Sequence, residues 1–258
     1  MQYTDQTGYT IQLKTIPKRI VSLVPSQSEL LWDLGLKNEL VGITKFCIHP
    51  KEMFERIERI GGTKQLNLEK IRSLKPDLII GNKEENDKTQ IEELRKEFNV
   101  WMSDIYTIDD ALRMIESIGE LSGKKSKAAI LSDQTQKKFS LVNNTHLKNK
   151  KVVYLMWHNP LMVAASNTFI HSIINSSGMI NVFAEKERYP VSDVQEIKSL
   201  NPDLVLLSTE PFPFSDKHIN EFEDLFGKGR VKMVDGEMFS WYGSRLLRVP
   251  AYLNSLFI

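Results

Sequence analysis

The order of apolar and polar positions occurs twice along this chain. Ile71-Arg72-Ser73-Leu74-Lys75-Pro76-Asp77-Leu78-Ile79-Ile80 returns as Ile197-Lys198-Ser199-Leu200-Asn201-Pro202-Asp203-Leu204-Val205-Leu206. In each copy two apolar residues three positions apart share a helical face. A proline then ends the helix, because the residue before it is pushed out of the α region. The run after the aspartate is wholly apolar, as in a strand of a parallel sheet covered on both faces. A second correspondence supports the first. Arg19-Ile20-Val21-Ser22-Leu23-Val24-Pro25-Ser26 and Lys151-Val152-Val153-Tyr154-Leu155-Met156-Trp157-His158 each run from a basic residue through an apolar strand into an abrupt polar loop. The helices that follow stop at Gly35 and Gly178, the residue type that caps helix ends most easily. A repeat this long is no solenoid. It predicts two copies of one α/β unit, with a ligand in the cleft between two lobes.

Other segments fit that plan. Tyr9 to Leu13 alternates and, with a turn over Asp5 to Gly8, predicts a short hairpin closed by Pro17. Apolar positions at 108, 111, 112, 115 and 118 predict a helix ended by Gly123. Lys124 to about Leu147 lacks proline and glycine, and its stripe runs Ala128, Leu131, Thr135, Phe139, Val142. A helix of ~24 residues would be ~36 Å long. It would serve as the spine between the lobes, or else as an ordinary helix of the first. The predicted fold is therefore α/β: two similar Rossmann-like lobes with parallel sheets joined by one long helix. The predicted boundaries are 1–122 for the first lobe, 123–148 for the linking helix and 149–258 for the second lobe.

Composition narrows the function classes. The chain has 258 residues, 41% hydrophobic and 26% charged, with a net charge of +1. No nucleic-acid or anionic-membrane partner is implied by that balance. Cys47 is the single cysteine, so no internal disulfide is expected. No run approaches the ~20 apolar residues of a spanning helix. The first residues, Met1 to Gln6, do not read as a signal peptide. Catalytic signatures are lacking: there is no G-x-S-x-G elbow, P-loop or G-x-G-x-x-G. The expectation is a binding protein rather than an enzyme.

Ligands of open parallel sheets sit beyond the carboxyl ends of the strands. Those ends carry Pro25 and Ser26, Phe46, Asn82 and Lys83, Trp157 and His158, Glu210, and Met238, Trp241 and Tyr242. Trp241 and Tyr242 follow an Asp235-Gly236-Glu237 turn without a periodic stripe, which predicts aromatics displayed on a loop. Phe46 reads as pocket, Trp157 fits pocket wall and core alike, and Trp32 and Trp101 read as core. Cys47 and His49 offer two metal ligands where zinc wants three or four, so no protein-only metal site is expected. His49 or His158 could still approach a metal carried by the ligand.

Pro17 to Ser26, Glu29-Leu30-Leu31, Leu34-Gly35, Val41-Gly42-Ile43, Gly61-Gly62, Asn67 to Ile71 and both P-D-L blocks resemble the helical-backbone substrate-binding proteins of ABC importers. These carry vitamin B12, haem and ferric siderophores; the likeness to the family runs from Thr4 to Leu256, and Gly42 to Pro50 and Trp241 to Leu246 resemble the vitamin B12 type. The resemblance implies two α/β lobes on one helix, a metal-chelate ligand, a membrane permease as partner, a monomer and a periplasmic location. The lack of an evident signal sequence departs from the family, and a cytoplasmic corrinoid carrier or sensor is the other reading if Met1 is the native start. The resemblance also implies a carboxylate on each lobe that docks on the permease, drawn from Glu84, Glu85 and Asp87 and from Glu210 and Asp216. A corrinoid, with neutral amides around a large apolar face, suits Phe46, Trp157, Trp241 and Tyr242 and is the first-choice ligand. A ferric siderophore or haem is second. An anionic siderophore would want cations, for which Lys45, Lys83 and Arg188 are the evident candidates. No cofactor is expected, the metal chelate being cargo.

Overall fold

A computed structural model describes residues 1–256. The chain divides into two compact units. Unit 1 comprises Met1–Ile105, Asp109–Gln136 and Tyr242–Leu247, and unit 2 comprises Tyr106–Ile108, Lys137–Trp241 and Arg248–Ile258.

Unit 1 opens with the predicted hairpin, β1 (Gln2–Thr4) against β2 (Thr10–Gln12). The turn closes because the Asp5 carboxylate accepts from the Thr7 and Tyr9 amides, at 2.9 and 2.8 Å. Then come β3 (Ile20–Ser22), α1 (Pro25–Asp33), β4 (Leu40–Ile43), α2 (Lys51–Arg56), β5 (Glu58–Arg59), α3 (Leu68–Leu74), β6 (Leu78–Asn82), α4 (Lys88–Arg95) and β7 (Val100–Ser103). Helices α5 (Ile108–Leu121) and α6 (Lys125–Phe139) follow. The sheet order is β5-β4-β3-β6-β7, and every ladder in it is parallel. Ile20, Val21, Ile79, Ile80 and Val100 are fully buried on it. Trp32 and Trp101 are core, as expected.

Unit 2 continues with β8 (Lys151–Trp157), β9 (Leu161–Val163), α7 (Phe169–Ser176), β10 (Ile180–Asn181), β11 (Val191–Ser192), α8 (Val194–Ser199), β12 (Leu204–Ser208), α9 (Asp216–Phe226), β13 (Val231–Val234), α10 (Gly236–Ser240) and α11 (Val249–Ser255). Its sheet runs β11-β9-β8-β12-β13, with β10 also on β8. Val153, Leu155, Val205, Leu207, Ile197 and Phe222 centre its core.

The repeat has a physical meaning that the structure exposes. Lys75 and Asn201 both take left-handed backbone, at φ 48° and 46°. That turn redirects the chain from helix to strand, and the proline that follows cannot resume the helix. The aspartate then clasps the start of the neighbouring strand. Asp77 accepts from the Lys18 and Arg19 amides at 2.8 and 3.0 Å, and Asp203 accepts from the Lys151 amide at 2.8 Å. The Asp77 and Asp203 amides return the bond to the carbonyls of Arg19 and Lys151. The strand pairs match in register: Ile20 faces Leu78, and Val152 faces Leu204.

Two expectations need correction. The helix expected from Lys124 to about Leu147 is α6, 15 residues from Lys125 to Phe139, about 22 Å rather than ~36 Å. Residues 140–150 are turns, and Asn144 uses its side-chain amide to bond the carbonyls of Leu253 and Leu256 (both 2.9 Å) instead of continuing the helix. The second sheet is mixed: β9 folds back on β8 and β11 pairs antiparallel with β9. The last described elements are a 3-10 turn, Ser244–Leu247, and α11, with Pro250 in its first turn, where a missing N–H costs nothing.

Candidate ligand-binding site

In unit 1 the ends of β3, β6 and β7 meet in a buried polar network. Gln27, on the first turn of α1, donates from Nε2 to Ser103 Oγ at 2.6 Å and to the Gly81 carbonyl at 3.2 Å. Asn82 Nδ2 donates to the same hydroxyl at 3.0 Å, while its Oδ1 accepts from the Glu84 and Glu85 amides at 2.8 and 3.0 Å. Asn86 Oδ1 accepts the Asn82 amide at 2.8 Å, and its Nδ2 donates to the Leu23 and Thr63 carbonyls. Asn82 therefore folds the loop that carries Glu84 and Glu85, and it is 2% exposed. A Cβ at Gly81 would lie 2.6 Å from Asn86 Oδ1, so this strand end needs glycine to seat the network.

The segment Tyr242–Leu247 packs on the same end. Tyr242 is buried, and its hydroxyl donates to Glu85 Oε1 at 2.7 Å. Burial, reinforced by the Glu85 charge, pushes its phenol well above the usual tyrosine range. Arg245 grips Glu29 with two bonds, Nε to Oε2 at 2.9 Å and Nη2 to Oε1 at 3.0 Å, in a buried ion pair. Pro25 and Ser26, on the first turn of α1, are buried beside it.

The outer rim of unit 1 is different. Phe46 is half exposed with Lys45 lying over its ring at 5.1 Å, and Ile48 is exposed beside it in sequence. Lys83 pairs with Asp104 at 2.6 Å. Cys47 turns inward, fully buried between Ser28 and Thr44, whose hydroxyls lie 3.2 and 3.1 Å from its sulfur. Burial raises its thiol above the usual range, so it is held as a neutral thiol, a poor metal ligand. His49 is half-buried, two residues further along.

Unit 2 presents aromatic rings at the corresponding end. Trp157 is 38% exposed, donates from its indole to the Asn159 carbonyl at 3.2 Å, and meets Phe212 edge-on at 5.7 Å. His158 stacks on Phe212 at 5.5 Å and pairs through Nε2 with Glu221 at 3.0 Å. Behind them lie Phe214, His218 and Phe222. His218 accepts the Ser215 amide on Nδ1 at 3.0 Å, which caps α9, and burial holds its pKa down. Its work is structural.

Trp241 and Tyr242 are buried, at 8% and 5% exposure, rather than displayed as the sequence suggests. The reason is a short helix that pattern alone did not give. Asp235 caps α10 through the Glu237 amide, and Trp241 closes it. Met238 lies half-buried on that helix. Glu210 accepts from Ser240 Oγ at 2.5 Å and from the Trp241 side chain, and burial raises its carboxyl above the usual range. Gly236 is required there, because a Cβ would come within 2.4 Å of Glu210 Cγ. Among the remaining acids, Asp87 caps α4 through the Gln90 amide at 3.0 Å, Glu84 is half-exposed, and Asp216 is exposed at the start of α9.

Phe212 and Ser103 are candidate-site residues that sequence reasoning passed over. Phe212 sits between Pro211 and Pro213, a loop signal available in the sequence. Ser103 carries no local signal, since its role depends on three strands meeting.

Comparison with known proteins agrees with this architecture. An uncharacterised ABC transporter substrate-binding lipoprotein of Bacillus subtilis is 28% identical over 216 residues, 78% of this chain and 67% of the relative. A vitamin B12-binding protein of Vibrio cholerae is 25% identical over 195 residues, 74% of this chain and 70% of the relative. The crystal structure of a periplasmic vitamin B12-binding protein from Vibrio cholerae superimposes with a TM-score of 0.80 at 22% identity, covering 93% of this chain and 96% of that one. The family model for periplasmic binding proteins matches residues 20–227, from β3 past the end of α9, and so takes in both copies of the repeat and all but the last of the strand-end loops. That span holds two Asp-clasped α/β units with polar and aromatic loops at their strand ends, and the chain belongs to the periplasmic binding protein family.

Proposed function

We propose that this chain is the substrate-binding component of an ABC import system and that its ligand is a corrinoid. The observation that carries the ligand class is the set of partly exposed rings at the strand ends: Trp157 and Phe212 in unit 2, and Phe46 in unit 1. Flat apolar faces suit a macrocycle whose periphery is amide. The names of the relatives support the same reading, several being vitamin B12-binding proteins. Lys83, the strand-end lysine that an anionic siderophore would most use, is committed to Asp104.

Pro25, Ser26, Phe46, His49, Asn82, Lys83, Trp157, His158, Met238, Trp241 and Tyr242 remain the proposed ligand-binding set, with Phe212 added. Within it the rings do the contacting, while Asn82 and Tyr242 hold the loops in shape. For permease docking, Asp216 is favoured by exposure over the half-buried Glu210, whose carboxylate accepts from Ser240, and Glu84, Glu85 and Asp87 are the candidates in unit 1. The reading includes a monomer acting in the periplasm with a membrane permease as partner, in keeping with the periplasmic binding protein family. Among the described residues no helix is long and apolar enough to cross a membrane.

Calorimetric titration with cyanocobalamin tests the ligand. Binding at ~1 μM or tighter is expected. Trp157→Ala should weaken it roughly tenfold to hundredfold by lost apolar contact, with little change in melting because the ring is part exposed. Heat from ferric siderophores alone, with none from cobalamin, would replace the corrinoid by an iron chelate.

A further inference from the structure

The net charge of +1 is unevenly spread, and unit 2 gathers cations at one end of its sheet. Strands β8, β12 and β13 are parallel neighbours, so they start side by side. Lys148, Lys150 and Lys151 lead into β8, Lys228 and Arg230 lead into β13, and Lys198 lies in the last turn of α8, ahead of β12. All of them are exposed. Backbone bonds tie the strand starts together: the Asp203 amide donates to the Lys151 carbonyl at 2.7 Å, and the Val205 amide to the Arg230 carbonyl at 2.9 Å. Acids built into this end are bonded to backbone, Asp203 accepting the Lys151 amide at 2.8 Å and Glu223 the Gly229 amide at 2.7 Å. Asp224, exposed on the last turn of α9, offsets one charge. Among the described residues no ion pair holds any of these cations.

The repeat provides a comparison. Arg72 is the counterpart of Lys198, and the carboxylates of Glu69, Glu93 and Glu97 surround it within 2.8 Å. Lys198 instead lies over the Phe226 ring, 6.0 Å from its centre. Unit 1 neutralises this position and unit 2 leaves it positive. Apolar surface lies among the charges. Ile180 on β10 pairs in register with Lys151 and is 46% exposed. Leu141, on the loop that leads to the lysines, is 72% exposed, and Asn144 pins that loop to the carbonyls of Leu253 and Leu256. A protruding aliphatic side chain beside lysines gains from a lipid interface and gains little from a hydrated polyanion.

We infer that the basic end of unit 2, formed by Lys148, Lys150, Lys151, Lys198, Lys228 and Arg230 with Ile180 among them, docks on an anionic lipid surface. Each cation near such a surface adds an attraction that fades within a Debye length, about 10 Å at 0.1 M salt. A compact ammonium on a flexible stem suits scattered headgroups, because it needs no single fixed geometry. Strand β8 has 7 residues, so this end lies about 20 Å from Trp157 at the far end of the strand. The surface stands apart from the ring cluster, and the inference does not depend on which cargo those rings take.

Flotation with vesicles tests it, with no cargo added. A roughly 1:3 mixture of phosphatidylglycerol and phosphatidylcholine at about 0.1 M salt should bind the chain at least about tenfold more tightly than phosphatidylcholine alone, and about 0.5 M salt should erase the difference. Lys148→Gln, Lys150→Gln and Lys151→Gln combined should weaken binding roughly tenfold to hundredfold. Melting should stay within about 2 °C of wild type, because the side chains are exposed. The same three positions changed to arginine should bind as wild type does. Lys14→Gln, Lys18→Gln and Lys96→Gln combined remove the same net charge from unit 1 and should change binding by less than about twofold. Ile180→Ser should weaken vesicle binding roughly threefold to tenfold through lost apolar contact. Equal binding to neutral and anionic vesicles, or equal losses from the two glutamine triples, would overturn the inference. Tight binding to sodium polyphosphate, with an Ile180→Ser protein that floats as wild type does, would also overturn it and assign the surface to a soluble polyanion.

Discussion

The two units share a scaffold and differ at its business end. Both place a left-handed residue, a proline and a clasping aspartate before a strand that pairs with the central one, β6 on β3 and β12 on β8. Beyond the strand, unit 1 builds a network of amides and hydroxyls around Gln27, Asn82, Asn86 and Ser103, whereas unit 2 builds a stack of rings around Trp157, His158 and Phe212. The polar network demands directional satisfaction, because each buried amide left without a partner costs its desolvation. The ring cluster demands only shape and area. Unit 1 should therefore be the brittle end and unit 2 the adaptable one.

The strongest blow to that contrast should come from Arg245→Ala in unit 1. It strands a buried Glu29 carboxylate, and breaking a buried pair in this way costs about 3–5 kcal/mol. Chemical denaturation should show a lower midpoint with an unchanged slope, while Glu29→Leu combined with Arg245→Met restores much of the loss. A midpoint that hardly moves for Arg245→Ala would remove the claim that unit 1 is brittle.

A smaller effect compares the two clasps directly. Asp77 accepts two backbone N–H bonds, at 2.8 and 3.0 Å, and Asp203 accepts one, at 2.8 Å. Alanine at 77 should cost roughly twice what alanine at 203 does, each less than ~2 kcal/mol because both carboxylates are exposed. Equal costs would mean that the left-handed turn and the proline do most of the positioning.

The smallest effect belongs to Glu210 in unit 2, and it appears only as a pH dependence. Its folded carboxyl is raised above the ordinary carboxylate range, with burial the main cause. A raised acid supports the fold most when protonated. Its contribution is complete below the ordinary carboxylate pKa and is lost as pH rises through the elevated folded value. Melting curves of wild type and Glu210→Gln should therefore diverge over that interval, the variant being the flatter. Parallel curves would show that Glu210 titrates as an ordinary acid.

The repeat is what made the fold readable. Ile71 and Leu74, then Pro76 and Asp77, announce helix, stop and strand in a window of ten residues, and the second copy does the same. Trp32 and Trp101 were legible as core for the same reason, since they fall inside periodic elements. The site was legible as a set of loops and not as a set of roles. Asn82 looks like a ligand contact in sequence, yet it spends its amide on Ser103, Glu84 and Glu85. Trp241 looks displayed, yet the five-residue α10, too short to show a period, draws it inward. The end of α6 at Phe139 was hidden because nothing in 140–147 breaks a helix locally. The chain leaves the helix there because Asn144 finds carbonyl partners more than a hundred residues away.

The aspartate clasp has a consequence for ancestry and for engineering. Every clasp bond named above stays inside its own unit, so exchanging the decapeptides 71–80 and 197–206 would carry each clasp with it. A duplicated ancestor could drift in its strand-end loops while the joint between helix and sheet stayed under one unchanging requirement. The joint is thus the fossil of the duplication, and it is also the place where one half of the molecule can be rebuilt from the other.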